Sequence, residues 1–135
     1  MNILKILVFL LFTSFYKPSE GCSNIYLIRH AEKVRTDKSD RDPDLNKNGF
    51  LRAINWKNYF SDKNISRIYS TNYKRTIKTV EPLAENNSLE IILYSSDDII
   101  YEAFLKSSIG KNTLVVGHSN TIPGFVNNLI EEDYY

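Results

Sequence analysis

Cysteine is nearly absent from this chain of 135 residues: Cys22 is the single one. An internal disulfide is therefore excluded, and the fold must rest on its apolar core. Charge of one sign is also lacking, since 17 basic and 16 acidic residues leave a formal net charge of +1. No long basic or acidic tract exists, which excludes the electrostatic footprint of a nucleic-acid binder. Histidine is equally sparse, with only His30 and His118. Internal repeats and low-complexity tracts are missing too, so solenoids and linkers are excluded.

What the chain does have is apolar material, 42% of its residues, including nine Tyr and seven Phe. That is a globular composition with enough substance for one core. The N-terminus is set apart. Residues 6–16 form an eleven-residue apolar run behind Lys5, followed by a short polar stretch to Gly21. This is the layout of a secretory signal peptide and is too short for a comfortable membrane span. Ser19 and Gly21 place small residues at −3 and −1 of a cut before Cys22. The expected organisation is a signal peptide over 1–21 and one domain over 22–135. A cysteine at that cut points to a lipoprotein anchored through lipid on Cys22, hence a bacterial envelope or periplasmic location; plain secretion is the alternative. Removing Lys5, Lys17 and Glu20 leaves 15 basic residues (17 less 2) and 15 acidic ones (16 less 1).

Periodicity gives the rest. Strands are expected over 24–28, 65–70, 89–94 and 113–116, each short and rich in β-branched or aromatic residues. Helices are expected over 45–60, with Phe50, Ile54, Trp56 and Phe60 on one face and Asn46 as cap, and over 73–85, with Ile77, Val80 and Ala84 inward. Pro82 should bend or shorten the second. Further helices are expected over 97–109, capped by Asp97 or Asp98, and over 122–130, capped by Thr121 with Pro123 in the first turn. Strands alternating with helices predict an α/β three-layer sandwich with a mainly parallel sheet. The polar segment 31–44 is a loop long enough to act as a substrate lid.

Ligands of such sheets bind at the carboxyl ends of strands. Strand one ends in Arg29-His30, strand two in Ser70-Thr71 followed by Arg75, strand four in Gly117-His118-Ser119-Asn120. Both histidines and two arginines thus share one edge. Arginine offers a fork of donors matched to phosphate oxygens, and histidine serves as nucleophile, base or cation near neutral pH. The set suits a tetrahedral oxyanion. It does not suit a metal, because two imidazoles beside two guanidiniums, with no nearby carboxylate or thiolate, repel a cation. Lys33 stands near enough to assist, and Ser70 and Thr71 read as braces of the turn before Arg75.

IYLIRHAEK (25–33), Leu45-Asn46-Lys47-Asn48-Gly49 with Arg52-Ala53, Ser70-Thr71 with Arg75-Thr76 and Thr79, and VVGHSNTIP (115–123) together resemble the histidine phosphatase (phosphoglycerate mutase-like) superfamily, in particular its short phosphohistidine phosphatase-type members. The resemblance runs from about 24 to 130. It implies that His30 attacks phosphorus, that Arg29, Arg75 and His118 hold the phosphoryl oxygens, and that Asn120 or the Ser119 amide adds a donor. It implies a metal-independent phosphoric monoester hydrolase with no cofactor and a small phosphorylated substrate. A general acid is expected from the segment after strand three, where Asp97, Asp98 and Glu102 qualify and Asp97 is favoured. Two other functions stay open: a non-catalytic phospho-ligand binding module, and a mutase-type phosphotransferase. Relatives continue beyond the last helix into a segment that pairs with the sheet, and a chain stopping at Tyr135 would leave an edge strand uncovered.

Overall fold

The computed structural model describes residues 21–135; the expected signal peptide lies outside them, apart from Gly21. Strands and helices alternate as β1 (Asn24–Arg29), α1 (Lys47–Tyr59), β2 (Ile65–Thr71), α2 (Lys74–Asn86), β3 (Ile91–Tyr94), α3 (Tyr101–Ser108), β4 (Asn112–Gly117) and α4 (Ile122–Ile130). The four strands form one parallel sheet in the order β1-β4-β2-β3. The chain is an α/β three-layer sandwich, as its periodicity predicts.

β4 lies between β1 and β2, and every residue from Thr113 to Gly117 is buried. That is why it reads as continuously apolar rather than alternating. Its side chains still point to opposite faces in turn. Leu114 and Val116 pack with Ile28, Phe60, Ile68, Val80 and Leu83 under α1 and α2. Val115 packs with Phe104 and Phe125 under α3 and α4.

Several local expectations need correction. In α1 the buried positions are Gly49 and Ala53, whereas Phe50 and Ile54 are exposed. The helix presents small residues because it lies close to the loop after β1: a Cβ on Gly49 would stand 2.1 Å from the Glu32 carbonyl oxygen. Pro82 does not shorten α2, which runs on to Asn86. Burial of Val80, Leu83 and Ala84 offsets a proline cost of about 3 kcal/mol. β3 starts at Ile91, later than expected. α3 starts at Tyr101, not Asp97, with Ile100 at the cap position and no side-chain capping bond; Asp97 and Asp98 lie in the preceding turn. Thr121 stands at the cap position of α4 but makes no capping bond. Its hydroxyl faces the His118 backbone instead, receiving that residue's amide at 3.3 Å.

Candidate active site

The parallel register of β1 and β4 pairs Arg29 with Gly117. One residue further on, the His30 amide donates to the Gly117 carbonyl at 3.0 Å. The two strands therefore end at one level, and His30 and His118 emerge side by side. Their rings stand edge to face with centroids 5.4 Å apart.

Each imidazole is held by a specific bond. His30 Nδ1 lies 2.7 Å from the Ala31 carbonyl oxygen. A carbonyl only accepts, so Nδ1 carries the proton and Nε2 keeps its lone pair. The loop carrying His30 is pinned at successive residues. The Ala31 amide donates to Thr79 Oγ1 at 2.8 Å, and Thr79 Oγ1 donates to the Arg75 carbonyl at 2.6 Å. Glu32 pairs with Arg52, whose hydrogen bonds hold its carboxyl down at about 2. The Asn46 amide donates to the Glu32 carbonyl at 2.9 Å, and Asn46 Oδ1 accepts from the Gly49 amide at 3.0 Å. The Asn46–Gly49 and Arg52-Ala53 motif is thus the bed on which the His30 loop rests.

His118 Nε2 lies 2.9 Å from Thr71 Oγ1 at the end of β2. Its ring also meets Tyr73 edge to face at 5.1 Å, and the Arg75 guanidinium lies 4.3 Å from the centre of the Tyr73 ring. Arg75 is mostly buried. Its Nη1 is 3.6 Å from Asp42 Oδ1, and its Nε is buried without a partner. That guanidinium retains donor capacity for an oxyanion.

Burial and neighbouring charge favour the neutral form of both imidazoles. Burial pushes His30 below the ordinary value, and the Arg75, Arg29 and Lys33 charges add to this against the opposing Ala31 carbonyl. Burial, then Arg75, His30, Lys33 and Arg29, push His118 down to about 4. Burial leads in both cases, with the opposing Ala31 bond next for His30 and the Arg75 charge next for His118.

Two hollows flank the ring pair. One, about 580 Å³, is lined by His30, Arg29, Lys33, Arg35 and Trp56 among others. The other, about 590 Å³, is lined by His118, Arg75, Asn120, Asp97, Tyr73 and Tyr94 among others. Among the three carboxylates considered from sequence, Asp97 alone lines a hollow with His118. Asp98 lines a separate hollow over α3, and Glu102 sits exposed in the first turn of α3. No cluster of three or more His, Cys, Asp or Glu suited to a metal ion occurs among the described residues. The sequence reading named Thr79 only within a motif, gave Tyr73 and Asp42 no part in the site and took Thr71 for a turn brace. No local pattern marks Asp42 or Tyr73, because each joins the site only through its contact with Arg75 in space.

A parallel α/β sheet that ends in two imidazoles and an arginine against an aromatic ring carries the donors that an oxyanion-binding site needs. The family model described as "Histidine phosphatase superfamily (branch 1)" matches residues 25–96, and the chain belongs to that superfamily. The match includes Arg29, His30 and Arg75; His118 lies beyond it and joins them through the β1–β4 register.

Solved structures share the fold. A SixA-type phosphohistidine phosphatase from Agrobacterium tumefaciens is 23% identical, with a TM-score of 0.62 over 81% of this chain and 77% of that one. A phosphoserine phosphatase from Entamoeba histolytica, in complex with 3-phosphoglyceric acid, is 20% identical, with a TM-score of 0.58 over 81% and 80%. A mycobacterial glucosyl-3-phosphoglycerate phosphatase with inorganic phosphate is 13% identical, with a TM-score of 0.67 over 82% and 80%. None of the curated proteins matches this chain by sequence.

Proposed function

We propose that this protein is an exported phosphatase that hydrolyses a phosphate monoester through a phosphohistidine on His30. The observation that carries the reading is the Nδ1–H of His30 bonded to the Ala31 carbonyl, which leaves Nε2 as a neutral nucleophile beside His118. Nε2 attacks phosphorus as the bond to the leaving oxygen breaks. Arg29 and Arg75 balance the charge on the equatorial oxygens, and His118 joins them by taking the remaining proton of the phosphate monoester onto its free ring nitrogen, with Lys33 and Asn120 at the margins. Asp97 gives a proton to the departing alkoxide. Its carboxylate then takes one from the water that attacks the phosphoenzyme, releasing phosphate and restoring His30. The mechanism requires no metal and no organic cofactor.

Cys22 is exposed and lies two positions before the start of β1. The site lies at the other end of that strand, roughly 20 Å away at the usual rise per residue. A lipid on Cys22 would therefore hold the domain to a membrane with the histidines turned away from it. No helix among the described residues is long and apolar enough to cross a membrane. Residues 1–21 would serve as the export signal. The substrate is a small phosphorylated molecule met outside the cytoplasm.

A second reading, a phospho-ligand binding module without turnover, draws on one observation. The Asp97 side chain is exposed, and its carboxylate is held only by a long 3.5 Å bond from Ser96 Oγ. Release of phosphate from an aryl phosphate in the presence of a chelator separates the two. Turnover that disappears in His30→Ala, with labelled phosphate trapped on His30 of the parent, supports the enzyme. Equal rates in parent and variant overturn it. A mutase would instead move the phosphoryl group between positions of one sugar phosphate, which product analysis reveals.

A further inference from the structure

Thr71 and Thr76 form a buried chain of hydroxyls behind His118. Thr71 is 5% exposed and Thr76 fully buried. Thr76 Oγ1 lies 2.8 Å from the Thr71 carbonyl and 2.9 Å from the Tyr73 carbonyl. Both oxygens only accept, so the single Thr76 proton goes to a carbonyl. Thr71 Oγ1 lies 3.1 Å from Thr76 Oγ1 and 2.9 Å from His118 Nε2.

Two proton arrangements are open to Thr71. If its hydroxyl donated to His118, the contact with Thr76 would set lone pairs against lone pairs with no proton between them. If it donates to Thr76, its own lone pair receives a proton from Nε2, and every contact is satisfied. The arrangement with a proton in every contact is favoured, because the one additional buried hydrogen bond contributes about 0.5–1.5 kcal/mol. The peptide around Thr71 is itself fixed, since its carbonyl accepts from Ser70 Oγ at 2.9 Å and from the Tyr73 amide at 2.9 Å.

We infer that Thr71 is a positioning residue that fixes His118 as the Nε2–H tautomer and leaves Nδ1 as the nitrogen a ligand meets. Its place in turnover rests on the phosphatase reading; the tautomer does not. The two active-site imidazoles are then set in opposite senses. His30 is tied back through Nδ1 and offers Nε2, while His118 is tied back through Nε2 and offers Nδ1. The groups whose charge reaches His118 are Arg75, His30, Lys33 and Arg29, with the Tyr73 ring against its edge. None of these accepts a proton from Nε2, so Thr71 alone sets the tautomer.

The test is ¹⁵N NMR of the histidine rings in the full chain at mildly alkaline pH, for the parent, Thr71→Val and Thr71→Ser, with steady-state hydrolysis of an aryl phosphate measured alongside. Valine keeps the shape and deletes the acceptor; serine restores it. The expected result is a protonated Nε2 and bare Nδ1 on His118 in the parent and the serine variant, and mixed tautomers in the valine variant. We expect kcat of the valine variant to fall on the order of tenfold with KM little changed, the size of one lost hydrogen bond in the transition state. A parent with Nδ1–H on His118 overturns the inference, and so does a valine variant that keeps the parental tautomer or the parental kcat. A parent with Nε2–H but no turnover overturns the phosphatase reading and upholds the tautomer assignment.

Discussion

The imidazole of His30 stands 5.4 Å from that of His118, edge to face, although the two are far apart in the chain. The proximity follows from a backbone fact. β1 and β4 are parallel neighbours in register, and the His30 amide closes on Gly117 just before His118. A one-residue slip would carry one ring to the opposite face of the sheet.

The pH dependence follows from the neutral state of that pair. The folded-state value of His118, about 4, lies below the ordinary 6.5. Between these values the unfolded chain binds more protons than the folded one. Stability is therefore full above about pH 6.5, falls as pH drops toward 4, and is not further affected by this group below that. Denaturant midpoints measured from pH 8 to 4 should show this slope, and His118→Gln should flatten it. His30 is lowered in the same direction, so kcat/KM should keep its plateau to a pH below the ordinary histidine value before falling.

Asp42 competes for the arginine assigned to the phosphoryl group. Its Oδ1 accepts from the Lys74 amide at 2.9 Å and stands 3.6 Å from Arg75 Nη1. Asp42→Asn keeps the amide contact and deletes the charge. Inorganic phosphate should then inhibit about two- to fivefold more tightly, the worth of a partly exposed ion pair. Unchanged inhibition would place the phosphoryl group away from Arg75.

Thr79 braces the His30 loop from below. Thr79→Val leaves the buried Ala31 amide without the acceptor it has at 2.8 Å, at a cost of about 1–3 kcal/mol. Urea denaturation should register this loss, and kcat should fall because His30 is the adjacent residue.

Gly49 is needed for space. A methyl group there meets the Glu32 carbonyl oxygen at 2.1 Å and Leu45 Cβ at 3.1 Å. Gly49→Ala should lower stability by about 1–3 kcal/mol. It should also reduce kcat more than a neutral surface change does, since the displaced carbonyl is two residues from His30.

Asp97 is tested by leaving groups. Asp97→Asn should lower hydrolysis of an alkyl phosphate about 10²–10⁴-fold while sparing a nitrophenyl phosphate, whose leaving oxygen needs no proton. Equal losses on both would move the acid elsewhere, and Glu102→Gln is the comparison.

By itself the sequence determined the α/β class, the carboxyl ends of the strands and the histidines and arginines that stand there. Each is written in a short window: β4 in its unbroken apolar run, Arg29-His30 and Gly117-His118 in the residues that follow strands. The sequence misplaced the start of α3 and the inward face of α1 because both depend on what lies opposite. Helix α1 turns glycine and alanine inward only because the His30 loop crosses it there. Tertiary structure alone decided that Thr71 backs His118, that Asp42 reaches Arg75, that Thr79 holds Ala31, and that Asp97 rather than Glu102 shares a hollow with His118. Each of these joins segments distant in sequence through one hydrogen bond, ion pair or shared wall. Contacts of that kind leave no periodicity and no spacing for a linear reading to detect.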